Sequence, residues 1–400
     1  MNAPGGPDPD VLVFGGSGPE RPRPRWRRLV WLPVGLAAVL VGVFAVNAQH
    51  ARNSAAGPSP TPATPSRPPA ASTLPSASAR PSPTPTAPFF LNLGHPLLQT
   101  AAGWELVARG PGQVVRVDPV GGHVAVTPLP AILSSGPVSL VAGKGWIMVR
   151  PLDAVTGYLV ADGQPALELT GALAQGPVLP GPGGTGVWTG VQDTAGAPLT
   201  LVDIHGQPLG PRIAVPLDAF GAEQPDGTGY AVFNGTGGAW SARPDGIHRI
   251  STGLLVAVGP TRWVVVECDD KHACQTVAID RSTGARHTLS GIDPATPGPL
   301  GAVSPDGTKV ALALRAGQDP PSLQVIDLSS GADQTYNIAA QVLYESALVW
   351  SPDSAWVLAA DSDGKLKAFS ASRAEGVTLA IGGLPSLTQV TVRAAAPFNG

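Results

Sequence analysis

VVRVDPVGG (114–122), YLVADGQ (158–164), LTLVDIHGQ (199–207), GAWSARPDG (238–246), TVAIDRSTG (276–284), LQVIDLSSG (323–331) and LKAFSASRAEG (366–376) are seven versions of one phrase. Each is an alternating run that ends at a small or acidic residue and passes into a polar turn, usually with Gly. Period-two alternation buries one face of a strand, and clusters of Gly, Pro and Asp end it. Anchored at Asp118, Ala161, Asp203, Ala242, Asp280, Asp327 and Ser370, the copies step by 43, 42, 39, 38, 47 and 43 residues. Such a step holds several short strands per unit.

A single four-stranded unit cannot bury both of its faces until neighbours stack on it, so a period of about 40–45 residues predicts a β-propeller. An offset signal agrees: VSPDGTKVALAL (303–314) and WSPDSAWVLAA (350–360) each join a Ser-Pro-Asp turn to a strand, and EQPDGTGYAVF (223–233) is a fainter copy. In such a turn Pro sets φ, Asp bonds back to the backbone and Gly supplies the permissive position. The Ser304-Pro305-Asp306-Gly307 and Ser351-Pro352-Asp353 turns resemble the repeat of the TolB-type and WD-like propeller families, over residues 98 to 394 or so. The Trp-Asp dipeptide that names the WD family is missing at every repeat. The expected fold is therefore all-β, a seven-bladed β-propeller, with six or eight blades also compatible with the spacing. LTQVTVRA (387–394) is an alternating strand left over after the seventh copy. It is expected to pair into the first blade and remove the open edge.

The chain ahead of the repeats reads differently. Leu29 to Val46 carry no charge, and a helix of that length just spans a bilayer core. Pro33 falls in its first turn or so, and Trp26 and Trp31 suit the headgroup boundary. Arg21, Arg23, Arg25, Arg27 and Arg28 precede it, whereas only Arg52 and Arg67 follow closely, which orients the N-terminus to the cytoplasm. The reading is a cytoplasmic tail (1–28), a transmembrane helix (29–48), a disordered Pro/Ser/Thr/Ala-rich linker (49–88) and an extracytoplasmic propeller (89–400). A cleaved signal peptide ending near Val46-Asn47-Ala48 is the alternative, and it exports the same domain. The linker holds eleven Pro and three charges, a composition that favours extended polyproline II.

Composition narrows the function. The chain has 400 residues, of which 50 are Gly and 45 Pro, and only 13% are charged. Long helices are scarce in such a text. The net charge is −3, with five Lys in all, so the basic stripe that displaces counterions from nucleic acid is missing. Twenty Arg against five Lys resembles the usage of a high-GC bacterial genome.

Cys268 and Cys274 are the two cysteines, set in VVVECDDKHACQTVAID, where alternation on both sides makes DDKHA a hairpin loop. Opposed positions on antiparallel strands lie within disulfide range, and an exported pair oxidises. The alternative is metal binding by Cys268, Asp269, Asp270, His272 and Cys274, a compact set of suitable atoms. In a further reading without metal, Asp269, Asp270, Lys271 and His272 form a protruding recognition tip. Trp146, Trp188, Tyr230, Trp263 and Trp356 recur at the start of the strand after a turn and read as packing between blades; Trp104, Trp240 and Trp350 match that register less closely. Most of the seven His fall in turns, and no metal spacing, nucleophile elbow or phosphate loop is present. Gly181 to Gly186, Asp361-Ser362-Asp363-Gly364 and Asn234-Gly235-Thr236 read as turns.

No cofactor and no catalytic residue emerge from these patterns. The expected function is a membrane-anchored, extracytoplasmic binding or scaffolding platform for a protein or cell-envelope partner. The alternative is a hydrolase or lyase whose site lies at the channel mouth, because propeller enzymes assemble their sites from scattered residues. Signalling through the 28-residue tail ranks below both.

Overall fold

The structure, a computed structural model, describes residues 86–398 apart from 131–137, 152–155, 175–177, 191–197, 216–218, 226, 236, 291, 293–300, 314–321, 330–332, 338–347, 361–363, 374–375, 380 and 382–385. The chain divides between Ala79 and Arg80, and the described residues belong to the C-terminal unit. The tail, the apolar run 29–48 and nearly all of the linker lie outside the described residues, as do Asp361–Asp363 and Thr236. Among the described residues no helix is long and apolar enough to cross a membrane.

The fold is all-β. The first sheet contains β1 (Phe89–Asn92), β2 (Trp104–Gly110), β3 (Gln113–Val117) and β4 (His123–Pro128). The second is β5 (Val138–Gly143), β6 (Trp146–Pro151), β7 (Tyr158–Ala161) and β8 (Leu167–Glu168). The third has three strands, β9 (Leu179–Pro180), β10 (Gly186–Thr189) and β11 (Thr200–Asp203). The fourth is β12 (Ala219–Pro225), β13 (Ala231–Gly235), β14 (Gly238–Arg243) and β15 (Gly246–Ser251). An eight-stranded sheet follows. It joins β16 (Leu254–Val258), β17 (Arg262–Cys268), β18 (Cys274–Asp280) and β19 (Arg286–Leu289) to β20 (Gly301–Val303), β21 (Lys309–Ala313), β22 (Ser322–Asp327) and β23 (Asp333–Asn337). The two halves are antiparallel meanders, linked by parallel pairing of β16 with β20 at Ala257↔Gly301 and Val258↔Ala302. The next sheet is β24 (Leu348–Trp350), β25 (Trp356–Ala360), β26 (Leu366–Ser370) and β27 (Gly376–Leu379). Finally β28 (Gln389–Ala394) returns to the first sheet, giving the order β1-β4-β3-β2-β28.

The seven phrases occupy β3, β7, β11, β14, β18, β22 and β26, the third position of each meander once β28 is counted as the first strand of its sheet. The leading strands touch in succession: β28 meets β5, β5 meets β9, β9 meets β12, β16 meets β20, β20 meets β24, and β24 meets β28. Between β12 and β16 the contact passes through β13. The series therefore closes on itself, which makes the fold propeller-like.

Alternation explains how the sheets bind one another. Val357 and Ala359 of β25 pack with Ala311, Leu323 and Val325 of the preceding meander, while Leu358 and Ala360 pack with Leu106 and Val115 of the first sheet. Each buried cluster among the described residues bridges two consecutive meanders in this way. A fully buried Val, Leu or Ile contributes about 1.5–3 kcal/mol, so these interfaces are the core. Trp146, Trp188 and Trp263 lie buried in them, and Trp356 packs half-buried against the cluster at the seam. Trp104 corrects the sequence reading: it opens β2, in the register of Trp146 and Trp356, and is buried at the seam. Tyr230 is half-buried beneath the guanidinium groups of Arg243 and Arg281.

The third sheet departs from the four-strand pattern. Residues 207–213 run along its outer edge, with bridges only at Leu199↔Ile213 and Val202↔Pro208. Pro208 and Pro211 have no N–H to donate, which keeps this stretch from forming a full ladder.

Three contacts fasten the seam. First, β28 pairs with β2 from Trp104↔Ala394 to Arg109↔Gln389, as its alternation predicts. Second, buried Glu105 accepts hydrogen bonds from Arg116 at 3.0 and 2.9 Å and from Arg393 at 2.5 Å. Arg393 also reaches Asp162 at 2.5 Å and donates to the carbonyls of Gly143 and Trp146 at 3.0 and 2.9 Å. Arg116 lies 3.4 Å from Asp162, donates to the Ala396 carbonyl and stacks 4.6 Å from the Phe398 ring centre. Third, the segment before β2 crosses to the last sheet, where Asp353 accepts from the Thr100 hydroxyl at 2.5 Å and the Ala101 N–H at 2.9 Å. Trp356 Nε1 donates to the Gln99 carbonyl at 3.2 Å.

Gly229 marks the tightest crossing between the third and fourth sheets. Its φ is +87°, and a Cβ there would lie 2.3 Å from Pro182 N and 2.4 Å from Gly181 C. Its carbonyl accepts the indole N–H of fully buried Trp188 at 2.7 Å. Gly229→Ala is expected to destabilise the domain by about 2 kcal/mol or more, through left-handed strain and a backbone clash, measured by chemical unfolding.

Candidate functional site

In a meander the first-to-second and third-to-fourth turns lie at one end of the sheet, and the second-to-third turns at the other. The first end carries the Asp turns. Ser304 Oγ donates to Asp306 at 2.6 Å and accepts the Lys309 N–H at 2.9 Å. Ser351 and Asp353 repeat the pattern, with the Trp356 N–H on Ser351 Oγ at 3.0 Å. Gly307 takes the left-handed position with φ +73°, and Ser354 takes it with φ +59° in the turn that lacks Gly. The Ser354 hydroxyl accepts the Asp306 N–H at 3.1 Å, so this residue also ties one Ser-Pro-Asp turn to the next.

These turns hold their carboxyls ionised. The Ser282 hydroxyl, followed by the N–H and hydroxyl of Thr283, keeps Asp280 far below the usual carboxylate range. Burial opposes ionisation at Asp306 and Asp353, but hydrogen bonds from Ser304 and Thr308, and from Ser351, Thr100, Ala101 and Ala355, outweigh it and lower both. A carboxyl lowered in the folded state contributes stability above its unfolded value of 3.8, and that stability is lost as pH falls through the folded value. The melting temperature is therefore expected to be flat above about pH 5 and to fall steadily below about pH 4. Asp353→Asn is expected to melt lower at neutral pH and to show a shallower acid slope in a calorimetric pH series.

The opposite end carries the Cys268–Cys274 tip. Strands β17 and β18 pair without interruption from Arg262↔Asp280 to Cys268↔Cys274. Val264, Val265, Val277 and Ala278 are buried, whereas Cys268, Cys274 and Gln275 are exposed, so the hairpin projects beyond the core. The two cysteines form a disulfide, with Cα atoms 3.9 Å apart. Asp269 fastens the loop inside it. Its carboxylate accepts the N–H groups of Lys271 and Ala273 at 2.9 and 2.8 Å, and its own N–H donates to the Ala273 carbonyl at 3.0 Å. The His272 N–H donates to the Asp269 carbonyl at 2.9 Å, with His272 at φ +62°. All four tip residues named from sequence are exposed, and Asp269 also accepts the hydrogen bonds that fasten the loop.

The base of the tip is tied to the preceding sheet. Glu267 accepts from the Ser251 hydroxyl at the end of β15 and pairs with Arg286 of β19. Burial works against its ionisation, but these two partners hold its carboxyl below the usual range.

At this same end of the first two meanders lie polar groups that sequence reasoning missed. Arg109, at 1% exposure, donates to Thr388 Oγ1 and Gln389 Oε1, each at 3.2 Å. Gln389 Nε2 donates to the Val138 carbonyl at 2.6 Å, and buried Arg150 donates to the Pro151 carbonyl at 2.9 Å. In sequence the one shared feature is that each Arg is the penultimate residue of its strand, WELVARG and WIMVRP. The leading strands themselves read VSLVAG, LP, AFGAEQP, LLVAV, GAV, LVW and QVTVRA, with Glu223 and Arg393 their charged residues. Arg393 is engaged at the seam. Among the described residues no group of three or more His, Cys, Asp or Glu is placed to hold a metal ion. The histidines correct the sequence reading, because His123, His248 and His287 lie in strands.

Closed strand order and an exposed, fastened tip define an all-β, propeller-like protein. No protein-family model matches the chain, and no curated protein matches its sequence. Among solved structures, it is similar to a functionally unknown protein from Desulfotomaculum acetoxidans, with 11% identity, TM-score 0.47, and coverage of 74% of this chain and 100% of the other. TolB from Acinetobacter baumannii gives 14% identity, TM-score 0.42, and coverage of 73% and 66%. The periplasmic gluconolactonase PpgL of Pseudomonas aeruginosa gives 16%, 0.44, and 74% and 99%.

Proposed function

We propose that this chain is a membrane-anchored protein that displays a seven-bladed propeller outside the cell as a rigid platform for a protein or cell-envelope partner. The eight-stranded sheet is read as two blades whose leading strands meet in parallel, which brings the count to seven. The apolar run 29–48 after five arginines supports the anchor and its orientation. One observation carries the binding role: a charged, exposed tip is held in a single shape by a disulfide and by Asp269, beyond the limit of the core. Preorganisation of this kind lowers the ordering entropy lost on binding. A photo-reactive amino acid at position 272 is expected to give a discrete adduct in intact cells, and the same probe at position 283, at the other end of the meander, is expected to give none. No adduct at 272, or equal adducts at both, would contradict the role.

The second reading is an extracytoplasmic hydrolase or lyase at the channel mouth. Its support is the buried polar cluster of Arg109, Gln389 and Arg150 at the ends of the first two meanders. Turnover of an envelope substrate that Gln389→Leu abolishes, in a variant that still melts cooperatively, would favour it.

A further inference from the structure

We propose that Cys268–Cys274 is a reducible disulfide that sets the order of the tip without holding the domain together. Its position carries the inference. Both cysteines are exposed, one residue or more beyond the buried stretch of β17 and β18. The strands below are paired residue for residue down to Arg262↔Asp280, and Val264, Val265, Val277, Ala278 and Ile279 anchor them in two interfaces. The sulfurs are not needed for that anchoring. A bridge closing so short a loop also removes the least entropy from the unfolded chain, whereas a disulfide open to solvent is accessible to an attacking thiolate. Above the bridge, the loop keeps only the hydrogen bonds centred on Asp269.

The partner for this chemistry is a dithiol reductant. One of its thiolates attacks an exposed sulfur, the S–S bond breaks, and the displaced sulfur leaves as a thiolate that takes a proton from water. A mixed disulfide remains. The second thiol of the reductant loses its proton and attacks that bond, so the reductant departs as its own disulfide and both cysteines end as thiols. Two electrons pass from the dithiol to the protein. The consequence for recognition rests on the proposed platform role, but the redox step stands apart from it.

The test uses the full-length protein with dithiothreitol as the dithiol, at neutral pH and without denaturant. Thiols are counted by maleimide labelling and compared with the free peptide CDDKHAC in its oxidised form. Reduction is expected within about tenfold of the peptide rate, as for an accessible disulfide. On reduction, amide exchange at residues 269–273 is expected to rise about tenfold or more, with β16–β19 unchanged. The Cys268→Ser/Cys274→Ser variant is expected to melt cooperatively and to show the same fast-exchanging tip. Reduction slower than the peptide by about a hundredfold, exchange unchanged at the tip, or exchange spreading through β16–β19 would each overturn the proposal. These readouts need no partner, so they are decided separately from the cross-linking at position 272.

Discussion

Glu105→Ala is expected to destabilise the domain by about 3–5 kcal/mol, because it strips the shared carboxylate from two buried guanidinium groups. Glu105 is fully buried, and Arg116 and Arg393 are 3% and 7% exposed. Asp162 remains, but it lies nearer the surface and has one oxygen facing both arginines. Two desolvated positive charges then share one carboxylate, with backbone carbonyls as their other acceptors. The melting temperature is expected to fall by roughly 10 °C in calorimetry. Joint replacement of Glu105, Arg116 and Arg393 by Met tests the cause. Removing all three charges together is expected to cost far less than removing one, since the ion that then lacks partners, Asp162, lies nearer the surface. A loss below about 1 kcal/mol for Glu105→Ala would show that these groups are hydrated in solution.

Deletion of residues 388–400 has the larger effect. It removes the partner of β2 along its whole length, takes Val390 from the seam cluster, and leaves β5 and β24 facing a gap. The exposed edge of β2 becomes a template for another chain. The shortened protein is expected to lose its cooperative transition, to be cut rapidly by protease and to elute as oligomers. A peptide of residues 386–398 added in trans is expected to restore protection by filling the vacant strand position. A truncated protein that stays monomeric with an unchanged melt would show that the first and last sheets hold each other without β28.

The repeat was readable because one strand per sheet does two jobs at once. The third strand alternates through both of its interfaces and then meets an Asp turn, so VVRVD, TVAID and LQVID look alike in sequence and fall at equivalent places in space. Outer strands gave no such signal. Arg286, His287 and Thr288 of β19 are exposed, and β8 is only two residues long, so neither needs a pattern. The buried charges were hidden for the opposite reason. Arg116 in QVVRV and Arg393 in QVTVRA resemble the polar half of an alternating strand, yet both sides of a strand in a closed ring face a neighbour. Partners 288 residues apart, such as Arg393 and Glu105, meet only through closure. The cysteine hairpin was legible because both flanks alternate in phase, which places Cys268 opposite Cys274. That Asp269 fastens the loop follows from hydrogen bonds that spacing does not reveal.

Closure of the ring is tested most directly by native-state hydrogen exchange of β28. The amides of residues 389–394 that pair with β2 are predicted to exchange only through global unfolding, at the same free energy as the amides of β3. An open row of sheets would leave this segment without β2 to pair with, and it would fray. Exchange of 389–394 at the rate of a free chain end, with β3 still protected, would contradict the closed ring.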